Sequence, residues 1–196
     1  MARPVNQKTE QKEKSHEAIL ASAASLMRGR GIRASSVTDV MKGAGLTVGG
    51  FYGHFDSKEQ LFTVAIRNNA GTMWTRLMAL AKGASPRERV LGVVRAYLSR
   101  THRDNPEAGC LLPSVAPEVA REGEPYRSAL EPQLDTLTGG LANMLGPSAA
   151  HREQALGLVC LMYGALSLSR AVAGTKLSDE LLRAARKLAE GSLEAD

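Results

Sequence analysis

At 196 residues the chain is long enough for one large or two small domains with a buried core. Aromatics are only 4% of it, and many Ala, Leu, Arg and Glu with few β-branched runs favour an all-α protein over a sheet. The net charge is +5, and +4 of it sits in residues 1–67, which carry ten Lys/Arg against six Asp/Glu. An excess there suits a polyanion such as nucleic acid, and equally a plain solvated basic surface, so charge alone does not decide.

Residues 1–14 are polar and aperiodic and read as a flexible basic arm, with Lys8, Lys12 and Lys14 open either to DNA contacts or to solvent. From Ser15 a helical pattern carries Ile19, Ala23, Leu26 and Met27, with Gly29 and Gly31 as the stop. Ser35 or Ser36 caps a short helix bearing Val37, Val40 and Met41, and Gly45 suits the left-handed residue just past its end. Thr47 can cap a third short helix over "VGGFYGHF". A long helix follows from Asp56-Ser57, and Pro86 opens another bearing Val90, Val93, Val94, Tyr97 and Leu98. Four prolines within 104–125 predict only short helical pieces there. Helices over about 125–145, 151–172 and 178–192, the last capped by Ser178, bring the expected count to about nine.

Several classes drop out. Residues 1–17 lack an apolar leader, and the longest apolar run, Ala155 to Leu168, is shorter than the ~20 residues of a membrane span, so a cytoplasmic, non-membrane protein is expected. Two cysteines without CxxC spacing and four scattered histidines offer neither a disulfide framework nor a metal site. No nucleophile–base pair or phosphate loop assembles, so neither catalytic residues nor a cofactor are expected.

Two short helices joined at Ala44-Gly45-Leu46 make a helix-turn-helix. Val37, Val40, Met41, Leu46, Phe51 and Phe55 suit its inner face, leaving Thr47, Val48, Gly50, Tyr52 and His54 outside. Gly49, Gly50 and Gly53 stand where glycine costs a helix about 1 kcal/mol each against alanine. The stretch "HEAILASAASLMRGRGIRASSVTDVMKGAGLTVGGFYGHFDSKEQLF", His16 to Phe62, resembles the TetR family of bacterial transcriptional regulators. The carrying features are a first helix ending in glycine, a Ser-Val opening the second, "AGL" at the turn and an aromatic-x-x-Phe-x-Ser-Lys-Glu close.

The resemblance implies a DNA-binding domain over 15–62 and a ligand-binding and dimerisation domain over 63–196. It implies that Ser36, Thr47, Tyr52, His54 and Lys58 contact phosphates and that Val48 and Gly50 face base edges. Gly49, Gly50 and Gly53 would then let backbone approach DNA closely, or, for Gly49, only relieve crowding inside the protein. It further implies a repressor, homodimeric through its last two helices, that leaves a palindromic operator when a small-molecule effector binds. Independently, "EQALGLVCLMYGALSLSR" is apolar on nearly all faces, and Gly157, Gly164, Ala165 and Ser169 would admit a close partner helix. Met73, Trp74, Leu77, Tyr97, Cys110, Leu111, Leu137, Met162 and Tyr163 are the effector-contact candidates, each also suited to plain core. The segment "PEAGCLLPSVAPEVARE" resembles a branch in which the cysteine of such a turn senses electrophiles or oxidants, so Cys110 is either that sensor or a small buried residue. A helical-bundle enzyme or carrier with an apolar pocket is the remaining alternative.

Overall fold

The computed structural model describes residues 7–193, apart from the side chains of residues 70–73 and 80. Among the described residues the architecture is all-helical, nine α-helices and two short 3₁₀ segments. The N-terminal unit holds α1 (Gln7–Arg30), α2 (Val37–Gly43), the 3₁₀ segment η1 (Val48–Gly53) and the start of α3 (Lys58–Leu80). Then come α4 (Pro86–Tyr97), α5 (Arg100–Asp104), η2 (Pro106–Ala108), α6 (Leu112–Glu122), α7 (Tyr126–Leu145), α8 (Ala149–Ala171) and α9 (Lys176–Ser192). α3 runs unbroken through the expected domain boundary at 62/63, so the two units share a rigid element.

Local chemistry sets most helix starts. Ser36, Ser57, Ser85, Ser99, Ser148 and Thr175 each accept a hydrogen bond from a backbone N–H one turn in. Such a cap is worth about 1 kcal/mol. Ser85 and Glu88 close a full capping box around Pro86. Ile19, Met27, Val40, Met41, Phe51, Phe55, Leu61 and Phe62 fill the interior of the N-terminal unit, with Val37 and Leu46 packed at its margin. The same apolar cluster continues through Val94, Tyr97, Val115, Leu141, Met162 and Leu166.

Three expectations need correction. Residues 7–14 are not an irregular arm but the first turns of α1, while residues 1–6 lie outside the described residues. Those turns have no apolar face to reveal them; Gln, Lys and Glu are good helix formers that extend a helix already held by Ile19 and Ala23. The proline-rich segment forms the eleven-residue α6 despite Pro113 and Pro117. Pro113 occupies the first turn, where no N–H is needed, and Pro117 lies on the exposed side, where water reaches the carbonyl left unbonded. α9 starts at Lys176 with Thr175 as its cap. Ser178 is instead fully buried and donates to the Ser169 carbonyl at 2.7 Å, tying the start of α9 to the end of α8. At the other end Gln154 of α8 reaches the Ser192 carbonyl of α9 at 2.8 Å, so the two helices run antiparallel.

Candidate functional site

The exposed surface of the N-terminal unit is built around η1. Gly45 carries the chain out of α2 with φ +70°, a value that favours glycine over any residue with a Cβ. After Leu46 and Thr47, residues Val48–Gly53 wind as a 3₁₀ turn rather than the α-helix expected, consistent with three glycines weakening α-helical propensity. Phe51 is buried and anchors the turn, with Phe55 stacked on it at a centroid distance of 6.0 Å. Val48 and Tyr52 point outward, 45% and 76% exposed, large apolar groups left in solvent on the one side that the core does not use.

The three glycines of η1 have no reason inside the protomer. None has a positive φ. A Cβ at Gly49 or Gly53 would meet nothing within 4 Å, and one at Gly50 would only touch the Met41 methyl at 3.8 Å. The crowding account of Gly49 therefore fails, and these residues keep the outer face of η1 flush with its backbone.

The other polar candidates divide. The Thr47 side chain makes no capping bond and is exposed at the start of η1. Ser36 is committed within the protomer: its hydroxyl accepts from the Asp39 N–H at 3.0 Å and donates to the Asp39 carboxylate at 2.9 Å. Ser36 is thus the N-cap of α2, with the Asp39 carboxylate beside it. His54 turns toward α1, its ring 5.8 Å from that of His16. Desolvation, then His16 and Lys12, lower its pKa, which favours the neutral ring. The Lys58 ammonium leans on the Phe62 ring at 5.3 Å and reaches the Arg33 carbonyl at 3.5 Å.

Below this surface, α6 grips the N-terminal unit. Glu118 accepts the backbone N–H groups of Ile32 at 2.5 Å and Arg33 at 3.0 Å, in the turn between α1 and α2. Arg33 pairs with Glu122 at 2.6 Å, and Ser114 donates to the Arg28 carbonyl at 2.5 Å. No sequence pattern pointed to Glu118; a single carboxylate facing backbone amides some eighty residues away leaves no periodic trace.

The middle helices enclose a cavity of about 40 Å³ lined by Ile66, Trp74, Cys110, Leu111, Leu130 and Leu137, with Asn69 and Gln133 as polar edges. It thus collects Trp74, Cys110, Leu111 and Leu137 among the predicted contacts. Leu77 and Tyr97 border a separate groove beside η2. Met162 is packed in the core and Tyr163 half-buried, and neither lines these spaces. Met73 lies outside the described side chains.

Cys110 is buried, and its thiol sits above the ordinary cysteine value because desolvation outweighs its hydrogen bond with Tyr97 and the charges of Arg170 and Arg28. Its backbone N–H donates to His102 Nε2 at 2.9 Å, and His102 Nδ1 faces the Tyr97 carbonyl at 2.7 Å. These two partners suit the neutral imidazole, with its hydrogen on Nδ1. Desolvation lowers the His102 pKa, with Arg170 adding to it and the bond to Tyr97 opposing.

α8 and α9 leave an outward apolar face. Leu156 and Leu168 of α8 and Leu177 and Leu188 of α9 are 46%, 58%, 51% and 63% exposed. Gly157, Cys160 and Gly164 lie along the same side of α8, with no atom near a Cβ built on either glycine. Ala165 and Ser169 are turned inward and buried, so they do not belong to that face, contrary to expectation. No described helix is long and apolar enough to cross a membrane.

The fold is thus a helix-turn-helix unit joined to a helical bundle. Residues 19–65 match the model of the "Bacterial regulatory proteins, tetR family". The chain is similar to the HTH-type transcriptional repressor KstR2 of Mycobacterium tuberculosis, 34% identical over 79 residues, 40% of either chain. It is also similar to the HTH-type transcriptional repressor NemR of Escherichia coli, 26% identical over 129 residues, 65% of this chain and 64% of that one. The match thus spans less than half the length of KstR2. Over 90% of the chain the fold follows the crystal structure of reduced E. coli NemR, covering 95% of it at TM-score 0.77 and 23% identity. A TetR-family regulator from Cytophaga hutchinsonii gives the same TM-score at 22% identity, over 95% of this chain and 97% of that one.

Proposed function

We propose that the protein is a DNA-binding transcriptional repressor, dimeric and cytoplasmic, that a small-molecule effector releases from a palindromic operator. The observation that carries the DNA reading is the outer face of η1. Three glycines stand there, each unfavourable to an α-helix by about 1 kcal/mol, with no return in conformation or packing inside the protomer. A surface that admits another backbone closely is what they provide, beside an exposed valine and tyrosine. In this reading Thr47, Tyr52 and Lys58 hold phosphates, neutral His54 adds a weaker donor, and Val48 and Gly50 meet base edges, the valine methyls suiting a thymine methyl.

The outward leucines of α8 and α9 support a two-fold dimer, because an apolar face of this kind is covered by its own copy in a symmetric pair. Such symmetry sets two η1 segments roughly 34 Å apart along one side of a duplex. The buried Cys110 thiol, pushed up rather than down, argues against the redox alternative and for non-covalent sensing.

Tyr52→Ala and Val48→His test the reading together, with binding measured against the promoter fragment, scrambled DNA and site variants. Tyr52→Ala is expected to weaken all complexes alike by about 1–2 kcal/mol, whereas Val48→His changes which site is preferred. Equal losses from both, independent of base sequence, remove position 48 from readout. Native protein indifferent to DNA in dilute salt removes the function.

A further inference from the structure

Beside the apolar cavity, between α1 and α3, lies a polar groove of about 320 Å³. Arg28 from α1 and Arg76 from α3 line one end of it with Asn68, Asn69 and Gly109, while Glu17 lines it roughly 16 Å further along α1, beyond a stretch of alanines and Leu20. The two guanidinium groups converge on successive carbonyls of one loop: Arg28 donates to Glu107, and Arg76 to Ala108 at 3.2 Å. No carboxylate lies within ion-pair distance of either among the described residues. Burial, and then the charge of Arg76, lower the pKa of Arg28 against smaller opposing effects of Cys110 and Glu107, so the two cations repel one another across the groove. Asn69 belongs to both spaces: it lines the groove and also edges the cavity formed by Trp74, Leu111, Leu130 and Leu137.

We infer that this groove is an anion site for the head of the effector, and that the effector is an amphipathic carboxylate whose apolar part passes Asn69 into the Trp74 cavity. The inference rests on the reading of the protein as an effector-responsive repressor and narrows the effector's class. A carboxylate forms charge-assisted, forked bonds with guanidinium groups, stronger than their bonds to neutral carbonyls. It would bring an opposite charge to two guanidinium groups whose hydrogen bonds go to carbonyls, Glu107 acting on Arg28 only from beyond ion-pair distance. At about 40 Å³ the cavity holds only the tip of an alkyl chain as it stands, so a longer chain enters it by displacing Trp74. Arg28 sits in the last turn of α1, three residues before the turn that Glu118 holds. Drawing its guanidinium off the η2 loop therefore acts at the joint between the two units.

Trp74 is the single tryptophan of the chain, so its fluorescence reports on the cavity without a label. Octanoate and 1-octanol are titrated into the full-length protein, free of DNA. Octanoate is expected to shift the Trp74 emission saturably and to bind at least tenfold more tightly than the alcohol, about 1.4 kcal/mol. Arg76→Gln and Arg28→Gln are each expected to abolish that preference while leaving octanol binding in place, and Arg76→Lys to restore part of it. Melting curves identify variants that fold; should Arg28→Gln unfold, Arg76→Gln, on an exposed side chain, decides. Equal binding of acid and alcohol, no response of Trp74 to either, or a preference that survives in Arg76→Gln overturns the site. Operator binding is assayed separately without either probe. DNA binding without a carboxylate preference rejects the anion site alone, and a carboxylate preference without DNA binding rejects the repressor reading alone.

Discussion

Glycines in two regions of this molecule do opposite things. In η1, Gly49 and Gly53 look onto open space, and the protomer would accept a methyl group at either. In the bundle, a Cβ on Gly140 of α7 would clash with the Trp74 indole at 2.0 Å, and one on Gly109 with the His102 ring at 2.5 Å. The first set has no neighbour inside the protomer that requires it, and the second has an aromatic ring where the Cβ would stand. Composition treats them alike. Only the neighbours of the missing Cβ tell an open surface from a gap already filled.

The sharpest break of this contrast is Gly140→Val. Overpacking against Trp74 is expected to cost about 2–3 kcal/mol in urea denaturation, net of a small gain in helix propensity, and to shift Trp74 fluorescence. Unchanged stability would mean that the indole swings freely and does not seal the cavity. Next comes Glu118→Ala, which strips the acceptor from two backbone N–H groups at the α1–α2 turn. A loss of about 2 kcal/mol is expected, with faster hydrogen exchange at residues 32 and 33 and weaker DNA binding through a looser N-terminal unit. Exchange confined to its native rate at those amides would show that α6 does not hold the turn.

Gly49→Ala and Gly53→Ala reverse the sign. Each is expected to leave stability unchanged or to raise it by up to about 1 kcal/mol, while operator affinity falls about tenfold. A stabilised protein with undiminished affinity would return these glycines to the unexplained.

The smallest effect is with pH, at His102. Its pKa is lowered in the folded protein from an ordinary 6.5, so the unfolded chain binds the proton more readily. The contribution is present above pH 6.5 and is lost as pH falls from there through the lower folded value. Arg170, Arg28 and the Cys110 N–H face the ring or its loop and oppose a second proton on it. Melting temperature is expected to drop between about pH 7 and 5, with a shallower drop in His102→Gln. Identical slopes in the two proteins would place the titration elsewhere.

By itself the sequence determined the all-helical class, the helix-turn-helix with its inner face of Val40, Met41, Phe51 and Phe55, and most helix starts. These depend on contacts a few residues apart, or on caps whose donor and acceptor share one turn, so they are written locally. Helical turns with no apolar face, such as residues 7–14, escaped the same reasoning because they lean on a helix packed further along. Tertiary structure alone decided that Ser178 braces two helices instead of capping one, that Ser36 is occupied by Asp39, and that Ala165 and Ser169 face inward. It alone joined Glu118 to the α1–α2 turn and set Arg28 beside Arg76. Each of these is a meeting of residues distant in the chain, and a single charge or hydroxyl carries no periodicity to announce its partner before the helices pack.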